Sequence, residues 1–275
     1  MSNAPANKER SRGIEKPLES ALHHTAGGVT AVPGHDSTLP ERRERIAREQ
    51  QSLKEWAEAH RKLGGKLPLE DARGGEHTVH FDQRTQRVVK ATRPDTQQGY
   101  GIAFGSHSQG ATPAEYLDRL VLHNRIFNDD ITLERIVPAG GKLSIVTSQP
   151  FIAGRDAIQT EIDDHLRALG FENIGRGAYH HSGEGLLVHD LVPKNAKVGV
   201  NGQFHAIDPV IQRVPHDVCT GEPLKYRRTN DTEFALYSVG WNEKDDGGTF
   251  IMLGTPSANI GLDEGDWAWP PYPVK

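Results

Sequence analysis

Between Gly185 and Ile211 the chain reads GLLVHDLVPKNAKVGVNGQFHAIDPVI, and no other run restricts its fold as tightly. The apolar stretch Gly185–Val188 has the composition of a short buried strand. It delivers His189, Asp190 and Leu191, and Asn195 follows five residues after the aspartate. Asn201-Gly202 then supplies the positive-φ residues of a tight hairpin, and the chain returns through Gln203–Ile207 to Asp208. Such a hairpin brings Asn195 and Asp208 to the same end of two adjacent strands.

The elements around this run predict an α+β fold with two subdomains. HTVHF alternates, a turn at Asp82–Arg84 leads into Arg87–Thr92, and Thr112-Pro113-Ala114-Glu115 carries the signature of a capped helix start. Strands at about 131–137 and 142–148 follow, then an amphipathic helix at about 157–169 closed by Gly170. The order strands, helix, strands, helix, strands indicates α+β. Residues 1–39 lack apolar periodicity and read as a disordered tail, and 40–63 as a charged helix. That helix carries only a thin stripe of Ile46, Leu53, Trp56 and Leu63, which suits either packing on the next domain or full solvation. Residues 64–153 and 154–228 form the two subdomains. Residues 229–275 hold eight acidic groups against two basic ones and three of the four tryptophans, an extension expected either to dock on the first subdomain (64–153) and complete its core or to present an interaction motif.

Composition excludes several classes. A single cysteine rules out an internal disulfide framework and a cysteine-rich zinc module. No run of apolar residues is long enough to span a membrane, and the first residues lack the apolar core of a secretory signal, so a cytoplasmic location is expected. The net charge of −5 gives no strong nucleic-acid signal.

The spacing D-L-x-x-x-N at Asp190–Asn195 matches the catalytic loop of protein kinases, and Asp208 falls where their metal-binding aspartate lies. Phosphoryl transfer needs one carboxylate to orient or deprotonate the acceptor hydroxyl, and an amide oxygen and a second carboxylate to hold Mg²⁺ against the phosphates. Lys90, in Val88-Val89-Lys90, fits the strand lysine that contacts the α- and β-phosphates. A helix acid should pair with it. Glu115 and Asp118 compete for that role, with Glu115 slightly favoured although the cap also claims it.

Together GGEHTVHF, RVVKAT, TPAEYLDRLVLHNRIF, SQPFIAG, ALGF and VHDLVPKN…AIDPVI resemble the kinase-like domain of polyvalent proteins, large proteins of bacterial phages and conjugative elements. The resemblance covers about residues 74–212. It implies a compact bilobal kinase-like fold with a reduced C-terminal lobe (N-lobe 64–153, C-lobe 154–228) and Mg-ATP in the cleft. It also implies Asp190 as the base, Asn195 and Asp208 as metal ligands, Lys90 on the phosphates, and a hinge beside adenine at Gln149–Ile152, including Phe151. Several kinase features are absent. Gly74-Gly75 before Glu76 stands in for the glycine-rich loop. His189 replaces the arginine before the catalytic aspartate, and Val192 the lysine two residues after it, with Lys194 in reach of the γ-phosphate. Pro209 and Val210 replace the Phe-Gly pair. The expected activity is ATP- and Mg²⁺-dependent phosphotransfer to an alcohol group of a protein or a small molecule. The alternative is a nucleotide-binding adaptor without turnover.

Other features carry less. His77 and His80 should face opposite sides of a strand, and His180-His181 reads as a loop, so a structural zinc site is not expected. Ser106-His107-Ser108 lacks a nucleophile elbow. Arg227-Arg228 and the Arg42–Arg48 cluster read as solvated surface, and Cys219 as a plain thiol.

Overall fold

The structure, a computed structural model, describes residues 16–27, 39–94, 99–101, 110–175, 177–214 and, between 217 and 269, residues 217, 219–220, 222, 224–228, 234–240, 242–252 and 260–269. Ser106-His107-Ser108, Trp241 and most of the segment expected to be disordered lie outside the described residues.

Two helices come first, α1 (Pro17–Thr25) and α2 (Leu39–Ala59). A five-stranded antiparallel sheet follows, in the order β1-β2-β3-β5-β4, built from β1 (Ala72–Arg73), β2 (His77–Asp82), β3 (Arg87–Thr92), β4 (Thr132–Ala139) and β5 (Lys142–Pro150). The β2–β3 hairpin is closed by Asp82, whose carboxylate accepts from the Arg84 amide at 2.9 Å and the Thr85 hydroxyl at 2.8 Å. Helix α3 (Pro113–Phe127) lies between β3 and β4 in sequence and starts as its sequence predicts. Thr112 accepts from the Glu115 amide, and Glu115 reaches back to the Thr112 amide. Asn128, in the left-handed conformation that Asn tolerates, ends it.

The second half is mostly sheet. β6 (Gly154–Asp156) precedes α4 (Gln159–Ala168), and β7 (Glu172–Gly175), β8 (Ala178–His181) and β9 (Leu186–His189) follow. Then come β10 (Ala196–Gly199), β11 (Phe204–Ala206) and β12 (Val210–Arg213). They form a sheet of order β12-β9-β8-β7 and a smaller one of order β11-β10-β6. His180 and His181 are therefore strand residues and not loop. Among the described residues, no α-helix follows α4. The chain is thus a mixed α+β structure of antiparallel sheets.

Burial is organised in two cores. The first joins Leu53 and Trp56 of α2, Leu117 and Leu120 of α3, and Leu133, Ile136 and Ile145 of the five-stranded sheet. The second joins Leu122 of α3 with Ile162 and Leu166 of α4, Leu186 and Val188 of β9, and Ile211 of β12. Helix α3 serves both, since Leu117 and Leu120, three apart, share one face while Leu122, five beyond Leu117, leaves toward another. The first N-terminal segment departs from expectation, and the second takes one of the two readings left open for it, packing. Within the segment read as disordered, α1 buries Leu18 and Ala21 in the first core, and Trp56 donates its indole N–H to Ser20 at 3.0 Å. Nor is α2 a solvated rod: Leu53 and Ala57 are fully buried, as is Arg42 of the supposed surface cluster.

Beyond β12 the described segments are β13 (Lys225–Arg228), β14 (Phe234–Ser238), β15 (Phe250–Met252), β16 (Ile260–Gly265) and β17 (Trp267–Trp269). Buried Asp217 ties β14 down, accepting from the Ser238 hydroxyl at 2.8 Å and the Val239 amide at 2.9 Å. Leu224 packs with Leu187 and Val214. Where the tail can be followed, its hydrogen bonds run to the second half of the chain; among the described residues none reaches the five-stranded sheet, where docking was expected. No helix among the described residues is long and apolar enough to cross a membrane.

The packing of α2 is testable. Leu53→Ala should lower the unfolding free energy by about 2–5 kcal/mol, the cost of emptying a core site, whereas a solvated helix would lose less than about 0.5 kcal/mol. Chemical denaturation of the full chain distinguishes the two.

Candidate functional site

Strand β3 places Lys90 on the face opposite Val89 and Ala91, which pack on Val137 and Val146. Its register with β2 and β5 sets Lys90 between Val79 and Thr147. A buried ammonium needs a counter-charge, and Asp208 supplies it. Lys90 Nζ lies 3.2 Å from Asp208 Oδ1 and donates to the Ile207 carbonyl at 3.1 Å. Gln149, at the end of β5, points its amide at the same carbonyl from 3.4 Å.

The hairpin expected from Asn201-Gly202 forms, pairing Ala196 with Ala206. One step further the Ile207 amide donates to the Asn195 carbonyl at 2.8 Å, which brings Asn195 and Asp208 to one end. The Asn195 side-chain amide donates to the Asp190 carbonyl at 2.7 Å and to its carboxylate at 2.9 Å. Its nitrogen is consumed there, leaving the oxygen as the atom it can offer. Asp190 is exposed and has φ 55°, a backbone state that Asp and Asn tolerate better than most residues. Gly177 holds this loop from below: its φ is +75°, Leu191 donates its amide to the Gly177 carbonyl at 3.0 Å, and a Cβ at Gly177 would fall 2.7 Å from Val192 Cγ1.

Glu115 corrects the expected pairing. It sits at the start of α3, closing the capping box and accepting from Arg42 at 2.9 Å. Asp118, the other candidate, is bound by Arg213 at 3.1 and 3.2 Å, and burial pushes its pKa up against that partner. Neither acid reaches Lys90. The helix residue that enters the site is basic. Arg119 lies three residues beyond Tyr116 and four before His123, on a buried face of α3. Its Nε donates to the Pro209 carbonyl at 3.0 Å, one terminal nitrogen to Glu76 at 2.9 Å, and the other to Asp208 Oδ1 at 3.2 Å.

Glu76 comes from the turn that Gly74 and Gly75 make between β1 and β2, closed by the Gly74 amide on the His77 carbonyl. Gly101 crosses behind the pair with φ +113°, and a Cβ there would lie 3.0 Å from Glu76 Oε2. His77 is buried and bonds the Tyr116 hydroxyl at 3.0 Å. Sequence reasoning missed Arg119, Glu76 and Tyr116; the available signal was a charged residue repeating at helical spacing with apolar ones.

The remaining expected residues are more peripheral. Phe151 is 47% exposed and packs on Phe81 with ring centres 4.8 Å apart, beside half-buried Ile152. Lys194 is exposed on the short turn Pro193–Asn195.

Charge settles the protonation states. Burial raises the Asp208 pKa, but Lys90 and Arg119, helped by His77, outweigh it and hold the carboxyl well below the usual range. Burial lowers His77 to about 4, with Asp208 opposing, so its ring is neutral at pH 7. His189, beside Asp190, is also lowered to about 4 by burial and then by the Arg119 charge, and its Nε2 has no partner among the described residues.

Glu76, His77 and Asp208 offer ligand atoms within 4.8 Å of one another. With Arg119 between the two carboxylates and Lys90 on one of them, this group is an ion-pair network and a poor cation cage. The Asn195 amide oxygen and the second oxygen of Asp208, Oδ2, which has no hydrogen-bond partner among the described residues, are the other oxygens that could hold a metal. These are hard oxygen ligands of the kind Mg²⁺ takes, keeping several waters of its own.

A family model described as a serine/threonine/tyrosine kinase found in polyvalent proteins matches residues 46–214, more than half of the chain. The chain belongs to this kinase family. Neither the curated proteins nor the solved structures yield a match. The family segment takes in Lys90, Asp190, Asn195 and Asp208, and it begins within α2.

The histidine shifts predict an acid-sensitive fold. As pH falls through 6.5 the unfolded chain binds protons that native His77 refuses, so stability drops steadily down to about pH 4. At pH 5 His77 alone accounts for about 2 kcal/mol of that loss. Denaturation of His77→Gln at pH 5 and 7.5 should show a dependence flatter by about that amount; an unchanged slope would contradict a buried neutral ring. The depressed pKa of Asp208 has the other range: its contribution is complete above the ordinary carboxylate region and disappears only in strong acid.

Proposed function

We propose that the chain is an ATP- and Mg²⁺-dependent phosphotransferase with an alcohol-group acceptor, built on a bilobal kinase-like plan in which the two cores are the lobes. The supporting observation is the convergence at Ile207. Lys90 and Gln149 from the five-stranded sheet meet its carbonyl, and the Asn195 loop receives its amide. Residues from both cores thus meet at one point, which supports the reading that a phosphate chain is held there.

In this reading Lys90 releases Asp208 and contacts the α- and β-phosphates. Asn195, already oriented by Asp190, presents its amide oxygen, and Asp208 presents Oδ2. Bound Mg²⁺ supplies neutralisation of charge on the phosphate oxygens. Exposed Asp190 accepts the proton of the incoming hydroxyl, and Lys194 is close enough in sequence to serve the transferred group. The Gly74–Gly75 turn covers the phosphates, and Gln149, Phe151 and Ile152 form the adenine edge. With α4 the only α-helix described in the second half, little of a peptide-seating helical lobe is present, so both protein and small-molecule hydroxyls are acceptors to test. A bacterial mobile-element origin and a cytoplasmic setting accompany the family resemblance.

A second reading, a nucleotide-binding module without turnover, is favoured by Val192 and His189 at positions where kinases carry basic residues. Nucleotide stabilisation without phosphate release would select it.

Incubation with labelled ATP and a lysate, separated into protein and small-molecule fractions, is the direct test. Wild type should transfer label in a Mg²⁺-dependent manner. Asp208→Ala and Lys90→Ala should each reduce transfer by about 100-fold or more, because positioning and charge stabilisation supply most of the catalysis. Transfer undiminished in both variants would refute the assignment.

A further inference from the structure

Asp208 binds two cations through one oxygen. Lys90 and Arg119 both approach Oδ1 at 3.2 Å, while Oδ2 has no partner among the described residues and the side chain is 40% exposed. The two cations are not equivalent. Lys90 carries a compact charge on a flexible four-carbon stem and can swing to another anion. Arg119 is a planar fork with its other contacts fixed on the Pro209 carbonyl and Glu76, and its side chain is 5% exposed. It cannot follow.

We propose that Arg119 is a positioning residue that makes entry of a divalent cation at Asp208 conditional on nucleotide. This rests on the phosphotransferase reading and adds an order of binding to it. In the structure Lys90 and Arg119 both stand on Asp208, so a bare divalent cation approaching Oδ2 meets two positive charges already in place and gains little attraction. Phosphates that draw Lys90 away change this. Arg119 then remains matched by Glu76, the charge of Asp208 is no longer cancelled, and Oδ2 becomes a strong ligand. Because Lys90 and Arg119 both take Oδ1, Oδ2 is the oxygen left to offer a cation. Glu76 belongs to the Gly74–Gly75 turn, so the element that covers the phosphates and the element that fixes the cation ligand share one guanidinium.

The test is a Mn²⁺ titration of the full-length chain, with and without a non-hydrolysable ATP analogue, reading free Mn²⁺ by electron paramagnetic resonance. Wild type should bind Mn²⁺ about tenfold or more tightly with the analogue present. In Arg119→Gln the affinity for Mn²⁺ without nucleotide should rise about tenfold and the coupling should shrink. Lys90→Gln should show the same gain, which keeps the test available if the α3 variant fails to fold. A purely structural role for Arg119 would lower the melting temperature without raising the affinity for bare Mn²⁺.

Equal Mn²⁺ affinity of wild type with and without the analogue overturns the proposal, as do variants that stay at the wild-type affinity for the bare ion. Failure of wild type to bind the analogue at all overturns the phosphotransferase reading and the coupling together. That result is recognised from nucleotide binding alone, so the two failures are told apart.

Discussion

The carboxylate of Asp208 is the point on which the structure turns. It follows a hairpin belonging to the second core, yet its partners come from β3 and α3, which build the first. A half-exposed carboxylate held by two largely buried cations stays ionised, because protonating it would leave the Lys90 ammonium without its counter-charge. The two halves of the chain are thereby joined by charge. The junction is strong enough to set geometry and, being ionic, open to exchange for another anion.

What the sequence revealed was local. TPAE announced α3 because a capping box needs only four consecutive residues, and Asn201-Gly202 announced the hairpin because a tight turn is specified by its own dipeptide. The D-L-x-x-x-N spacing was readable because Asn195 bonds the backbone and side chain of Asp190 within a single loop. The Arg119 network was not readable. Its members stand at positions 76, 90, 119 and 208, and only the completed fold makes them neighbours. Glu115 misled for an instructive reason: an acid in the first turn of this helix satisfies two different patterns, and the nearer one, the cap, determined where it points. Helix α1 was missed because its helical spacing, Leu18, Ala21 and Leu22, is a single short set in a polar tail, although these residues suffice once α2 and α3 provide a surface.

Helix α3 carries the consequences of distant contacts into the site. Its first turn is held by α2, with Glu49 accepting from the Ala114 amide at 2.9 Å and Arg42 bridging Glu115 and the Gly110 carbonyl. An acid near a helix start is favoured by the exposed N–H groups there, and here a buried arginine completes the arrangement. Arg119 follows one turn later. The seating of α3 on α2 therefore helps to set where the guanidinium arrives.

Recognition and folding consequently have different edges in this protein. The segment that identifies the family starts at residue 46, in the middle of α2, and both arginines that pair with Glu115, Arg42 and Arg45, precede it. A chain trimmed to residues 46–214 would keep every group named in the chemistry. It would also begin with a severed helix, an acid at the head of α3 stripped of its counter-ions, and a first core missing Leu18 and Ala21. The portion that matches the family model thus leans on ion pairs and core contacts from residues before it, which lie in a stretch with no motif at all.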